Sequence, residues 1–133
     1  MTPPVYPACI HASRPVPDSG RCWQHDGAPS YQLIAALGSS IPAGPNIEPV
    51  VDRAAMRSGN NYAHQLADRL GAELVDRTVS GATTANVIDT PQEVAEGVSF
   101  PPQIDGLPTN ADVVTVPAGG NDLHFAGAML YSA

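Results

Sequence analysis

No lysine occurs in this 133-residue chain; all six basic residues are arginines. That excludes a Walker-type phosphate loop, which needs its lysine beside the glycine-rich turn. No Gly-x-Gly-x-x-Gly follows a strand-like run either, so a nucleotide-binding domain is set aside. Positive charge is scarce overall: thirteen acidic residues leave a net charge of −7 and a pI near 4.7. Such a surface does not attract a phosphate backbone, so nucleic acid is not an expected partner. There are only two cysteines, Cys9 and Cys22. They allow one disulfide or two free thiols, but not the four ligands of a structural metal site. No metal and no cofactor are expected. No apolar stretch approaches membrane-spanning length. The N-terminus lacks a basic start followed by an apolar run, so no secretory signal is read and a cytoplasmic location is the default expectation.

The length allows one domain at most. Residues 1–30 hold six prolines and two glycines with no periodic pattern. They read as a disordered or extended tail, with Trp23 and His25 its conspicuous side chains. Residues 31–133 are left to build the core.

Within them, Gln32 to Leu37 (QLIAAL) is a nearly continuous apolar run. Such a run fits a strand buried on both faces of a parallel sheet. Gly38-Ser39-Ser40 ends it, and Pro42 and Gly44 keep it from resuming. Pro45 to Gly59 reads as a loop, with a short helical piece over Val50 to Arg57. Asn60 to Leu70 is the clearest helix, with an asparagine N-cap and Gly71 as its stop. Tyr62, Leu66 and Leu70, with Ala63 and Ala67 alongside, form its apolar stripe; His64 falls away and reads as a solvated surface residue.

Ala72 to Ser80 is the second strand. Asp76 and Arg77 interrupt it, which suits an edge position. Gly81-Ala82-Thr83-Thr84 follows, then a short helix from Ala85. Thr90 to Asn110 is a linker, with one helical turn over Gln92 to Glu96. Ala111 to Ala118 is the third strand, rich in β-branched residues. Gly119-Gly120-Asn121-Asp122 ends it, and Leu123 to Ser132 starts a helix. The chain thus repeats strand, turn and helix three times, with connections long enough for parallel crossovers. All three turns fall at one edge of the sheet, where open parallel sheets gather their chemistry.

Those turns present Ser40, Gly81 and Asn121. Acyl transfer needs a nucleophilic hydroxyl and preorganised donors for the oxygen that becomes negative. Ser40 offers the hydroxyl and its own N–H, Gly81 a backbone N–H, and Asn121 a side-chain amide.

Leu37 to Gly44 resembles the Gly-Asp-Ser-x-x-x-Gly block of the SGNH or GDSL hydrolases, a family of serine esterases and lipases. Ser80 to Thr84 is similar to the second block, with Gly81 as the oxyanion glycine, and Gly119 to Asp122 to the third, Gly-x-Asn-Asp. The resemblance covers residues 31–133. It implies an α/β, flavodoxin-like parallel sheet with flanking helices (the SGNH fold), truncated to about three strands. The first strand would be central, with the second and third on either side. It also implies a small-molecule ester as substrate, Ser40 as catalytic nucleophile, and Ser40, Gly81 and Asn121 as the oxyanion hole.

Two positions depart from the pattern. Ser39 stands where the first block has Asp. The last block, Asp-x-x-His, which supplies the base, does not occur. His124 is the nearest substitute in sequence, with His11 and His25 in the tail behind it. A non-catalytic fragment or acyl-binding remnant is therefore the alternative to a serine ester hydrolase. The third strand's far edge, Val113 to Val116, would be unpaired, which makes marginal stability or self-association an expectation. Short acyl esters, lipids and acetylated sugars all stay open as substrates.

Overall fold

The computed structural model describes residues 30–131. The expectations for the tail, including Cys9, Cys22, His11, Trp23 and His25, lie outside the described residues. Strand β1 (Leu33–Ala36) is followed by a one-turn helix α1 (Ser40–Ala43). A hairpin comes next, β2 (Val50–Asp52) with β3 (Arg57–Ser58), then helix α2 (Tyr62–Leu70) and strand β4 (Glu73–Asp76). Helix α3 (Thr84–Ile88) leads to a second hairpin, β5 (Gln92–Glu93) with β6 (Ser99–Phe100). Strand β7 (Val113–Thr115) and helix α4 (Phe125–Tyr131) complete the described chain.

The central sheet has the order β4-β1-β7. Both pairings are parallel, with Ile34 opposite Leu74 on one side and Val113 on the other. Paired on both edges and covered on both faces, β1 is the core: Ile34, Ala35 and Ala36 are fully buried. This is the truncated three-strand α/β sheet that the resemblance implied. Among the described residues β7 has no partner on its outer edge, and Val114 and Val116 are exposed.

Helix α2 starts at Asn61, whose side chain accepts from the N–H groups of Ala63 and His64, and stops at Gly71 in the left-handed region. Its buried face differs from the expected stripe. Ala63 and Ala67 are buried, while Tyr62 and Leu70 are exposed at their edges. Alanines let the helix axis sit close to the sheet, so larger neighbours fall to the rim. Tyr62 still reaches across to share a 2.5 Å hydrogen bond with Thr115.

His64 is not the solvated residue expected. It is half-buried, with Nδ1 3.0 Å from Asn61 Oδ1 and 3.7 Å from Asp76 Oδ2. Asp76 likewise lies at the edge strand without facing water. Its carboxylate accepts from Asn61 Nδ2 at 2.8 Å and from Thr78 Oγ1 at 2.6 Å, with Arg57 Nε 3.6 Å away. Buried charges need such partners.

The two expected helical pieces lie in hairpins, the second keeping one 3-10 turn, Ala95–Gly97, at its tip. At Val50 to Arg57, adjacent β-branched valines favour strand, and Asp52 Oδ1 accepts from Ala55 N to turn the chain. At Gln92 to Glu96, Gly97 in the left-handed region lets the chain reverse, and Val94 N–H donates to Val98 O.

Candidate active site

At the carboxyl end of β1 the backbone turns sharply on Gly38, whose φ is +129°. Its N–H donates to Gln103 Oε1 at 2.6 Å, and its carbonyl accepts from Gln103 Nε2 at 3.0 Å. Gln103 is itself buried. One carboxamide thus satisfies both polar groups of a buried peptide position, as buried backbone requires. Ser39, also buried, donates its N–H to Pro117 O at 3.3 Å. Ser40 follows as the first residue of α1. Its N–H is among those a helix leaves without an internal partner. Its hydroxyl makes no hydrogen bond among the described residues.

Ser40 and Asn121 line the same cleft, of about 270 Å³, with Ile41, Pro117 and Phe125 as its apolar walls. Gly81 does not line it. Gly81 has a φ of +84° and stands on the wall of a larger hollow of about 850 Å³. A Cβ there would meet nothing closer than Gln92 Nε2 at 3.5 Å, so glycine is needed for the backbone angle more than for space. The next residue connects the two hollows: Ala82 O accepts from Asn121 Nδ2 at 2.8 Å.

A second brace runs alongside. Asp122 accepts from Thr84 N at 3.0 Å and from Thr84 Oγ1 at 2.5 Å. The turn after β7 is therefore tied to the turn after β4 by adjacent side chains, Asn121 and Asp122. Thr83 caps α3 in a reciprocal pairing with Asn86, which fixes the other end of the brace.

The Thr84 hydroxyl, and secondarily the Thr84 N–H, hold the Asp122 carboxyl below its ordinary value of 3.8. Asp112 is lowered in the same way by the N–H groups of Gln32 and Leu33, at 2.7 and 3.0 Å. A carboxylate with a depressed folded pKa contributes stability above its unfolded pKa and loses it as pH falls through the folded one. Asp112→Asn and Asp122→Asn are therefore expected to flatten the acid limb of a melting-temperature profile below about pH 4. A limb as steep as that of the unaltered chain would contradict this.

His124 is exposed and takes a left-handed φ of 49°; its backbone N–H donates to Asn121 O. No described histidine bonds the Ser40 hydroxyl. Gln103 is the site residue that sequence reasoning missed. A single amide between Pro102 and Ile104 carries no pattern that marks it.

Residues 36–131 match the GDSL-like Lipase/Acylhydrolase family. A protein named Lipase 2 from Streptomyces coelicolor is 43% identical over 89 residues, which are 65% of this chain and 28% of that protein. The crystal structure of an extracellular lipase from Streptomyces rimosus is 25% identical and superposes with a TM-score of 0.58, over 74% of this chain and 38% of that one. The chain thus spans well under half the length of either relative. With its three parallel strands and its matching blocks at their carboxyl ends, the chain belongs to the GDSL-like lipase/acylhydrolase family.

Proposed function

We propose that the chain carries the nucleophile and oxyanion hole of a serine ester hydrolase. The supporting observation is the single cleft lined by both Ser40 and Asn121 at the carboxyl edge of the sheet. In this reading Ser40 Oγ attacks the acyl carbon and passes its proton to a general base outside the described residues. The carbonyl oxygen becomes negative and is met by the two donors on the cleft's own lining, the N–H of Ser40 and one N–H of the Asn121 amide; the Gly81 N–H, from the residue before the Ala82 that Asn121 holds, is the third. Asn121 spends its other N–H on Ala82 O, which aims the amide before substrate arrives. The adduct collapses with cleavage of the ester C–O bond, the base hands the serine proton to the departing alcohol, and water then attacks the acyl-enzyme to release the acid and restore the Ser40 hydroxyl.

A second reading has its own observation. The Ser40 hydroxyl has no hydrogen-bonded base among the described residues, as in an acyl-binding remnant that keeps the pocket and not the reaction. An alkyl fluorophosphonate separates the two. The hydrolase reading expects a selective adduct on Ser40, absent in Ser40→Ala and formed roughly 10²-fold more slowly in Asn121→Ala. No adduct at Ser40 under native conditions leaves the remnant.

A further inference from the structure

The turn after β4 contains one soft joint. Val79 to Ala82 closes as a β-turn, with the Ala82 N–H donating to Val79 O at 3.2 Å. Gly81, its third residue, has a φ of +84°, as a type II turn requires there. A type I turn needs a φ of about −90° at the same place. The two differ mainly by a half-rotation of the central peptide, Ser80–Gly81, with both flanks left where they are. Glycine takes either sign of φ about as readily, so Gly81 alone does not select one. The selection matters because a planar trans peptide carries its C=O and N–H on opposite sides. Rotating this peptide swings the Gly81 N–H to the side that the Ser80 carbonyl occupied.

Gln92 holds the joint. Its Nε2 donates to Ser80 O at 2.9 Å, which fixes the carbonyl and, through the peptide plane, aims the Gly81 N–H the other way. That N–H has no hydrogen bond among the described residues. Gln92 is itself anchored. It pairs with Phe100 across the β5–β6 hairpin, and the Asn86 amide donates to Thr90 O and Pro91 O just before it, at 3.2 and 3.3 Å. The flanks of the joint are also fixed: the Ser80 N–H donates to Ala55 O at 2.9 Å, and Ala82 O accepts from Asn121. The Gln92 Oε1 is buried without a partner. An unpaired buried acceptor is destabilising and offsets the gain from a single hydrogen bond. Gln92 thus adds little to stability while it orients one peptide.

We propose that Gln92 is a positioning residue for the oxyanion hole, holding the Ser80–Gly81 peptide in the one orientation that leaves the Gly81 N–H free for substrate. The inference rests on the reading of Ser40 as nucleophile and deepens it. Gln92 touches no reacting atom; it acts through Gly81.

The test compares Gln92→Met, which keeps the length but cannot donate, and Gln92→Glu with the unaltered chain. Gln92→Met is expected to lower the maximal rate of Ser40 labelling by an alkyl fluorophosphonate on the order of 10²-fold. The half-saturating concentration and the melting temperature should stay where they were. Gln92→Glu supplies the rescue. Protonated, its carboxyl donates to Ser80 O as the amide does. Ionised, it repels that carbonyl and accepts from the Gly81 N–H, which turns the peptide over. Its labelling rate, taken as a ratio to the unaltered chain, should be low at about pH 8 and recover as pH falls toward the ordinary glutamate range near 4.3. Arg53 and Glu93 line the same hollow and are present in both proteins, so the ratio cancels their titration. The N–H dipolar coupling of Gly81 in weakly aligned, ¹⁵N-labelled protein reads the peptide plane without any chemistry. It should change in Gln92→Met and in ionised Gln92→Glu, and return at low pH in the latter, while the couplings of Ile34 and Ala35 hold. A Gly81 coupling that stays put overturns the inference. So does a labelling loss that tracks a fall in melting temperature and is not rescued by acid. If Gln92→Met does not fold, Gln92→Glu carries the test as one protein at two pH values. Labelling of the unaltered chain and both variants at equal rates sinks this inference alone. A Gly81 coupling that moves, with no labelling of the unaltered chain, sinks the hydrolase reading and leaves Gln92 as the residue that sets this turn.

Discussion

Gly38→Ala should cost the domain about 4 kcal/mol, enough to remove most of its cooperative unfolding transition. A Cβ at position 38 would stand 2.4 Å from Pro117 O and 2.8 Å from Pro42 Cγ. Neither neighbour can yield. Pro117 O already accepts from Ser39, and Pro42 lies buried in α1. The φ of +129° adds backbone strain for any residue with a side chain. Overpacking and strain each amount to roughly 1–3 kcal/mol. Urea unfolding followed by circular dichroism reads the sum. A midpoint equal to that of the unaltered chain would mean that the turn does not have the geometry described.

Gln103→Leu is expected to cost about 3 kcal/mol, since it strips both hydrogen bonds from Gly38 at a buried position. The carbonyl keeps Val79 N as a donor, but the Gly38 N–H is left with nothing. Gln103→Glu is the sharper variant. An ionised carboxylate can accept from Gly38 N–H but opposes Gly38 O. Only the protonated acid can reproduce both bonds. Folding therefore favours the protonated form and raises the pKa of the introduced glutamate. The deficit against the unaltered chain is present at neutral pH and shrinks as pH falls toward the ordinary glutamate range near 4.3. Melting temperatures of both proteins from about pH 7 to pH 4 give the comparison. A deficit that stays constant with pH would remove Gln103 from its assigned role.

The legible parts of this fold are those where one residue type repeats. The apolar run of β1, the β-branched run of β7 and the capped helix α2 were readable because burial and capping act on several neighbours at once. The order of the sheet came from the resemblance, and the blocks placed Ser40 and Asn121 at one edge. What escaped were features made by single residues meeting over distance. Strands of two residues, such as Arg57–Ser58 and Gln92–Glu93, have no period to detect. Asp76 is legible only as a charge that suits an edge strand, because its partners, Asn61 and Thr78, are polar in their own right and advertise nothing. Gln103 was hidden in a proline-rich connection, although it holds the turn that presents Ser40. Gly81 lines the neighbouring hollow rather than the Ser40 cleft, next in the chain to the Ala82 carbonyl that Asn121 holds, a placement set by that side-chain contact and by no pattern within the second block.

The pairing of β1 with β7 carries a consequence for the order in which the molecule can assemble. Asp112 grips the amides of Gln32 and Leu33 across 80 and 79 positions of chain. On a ribosome, the innermost strand therefore waits with one side bare until residues 112–115 have emerged. Contacts so far apart in sequence make for slow closure. Pro117, which secures Ser39, comes later still. The serine turn is among the last places to become rigid, and its amides should be among the last to gain protection in pulse-labelled hydrogen exchange.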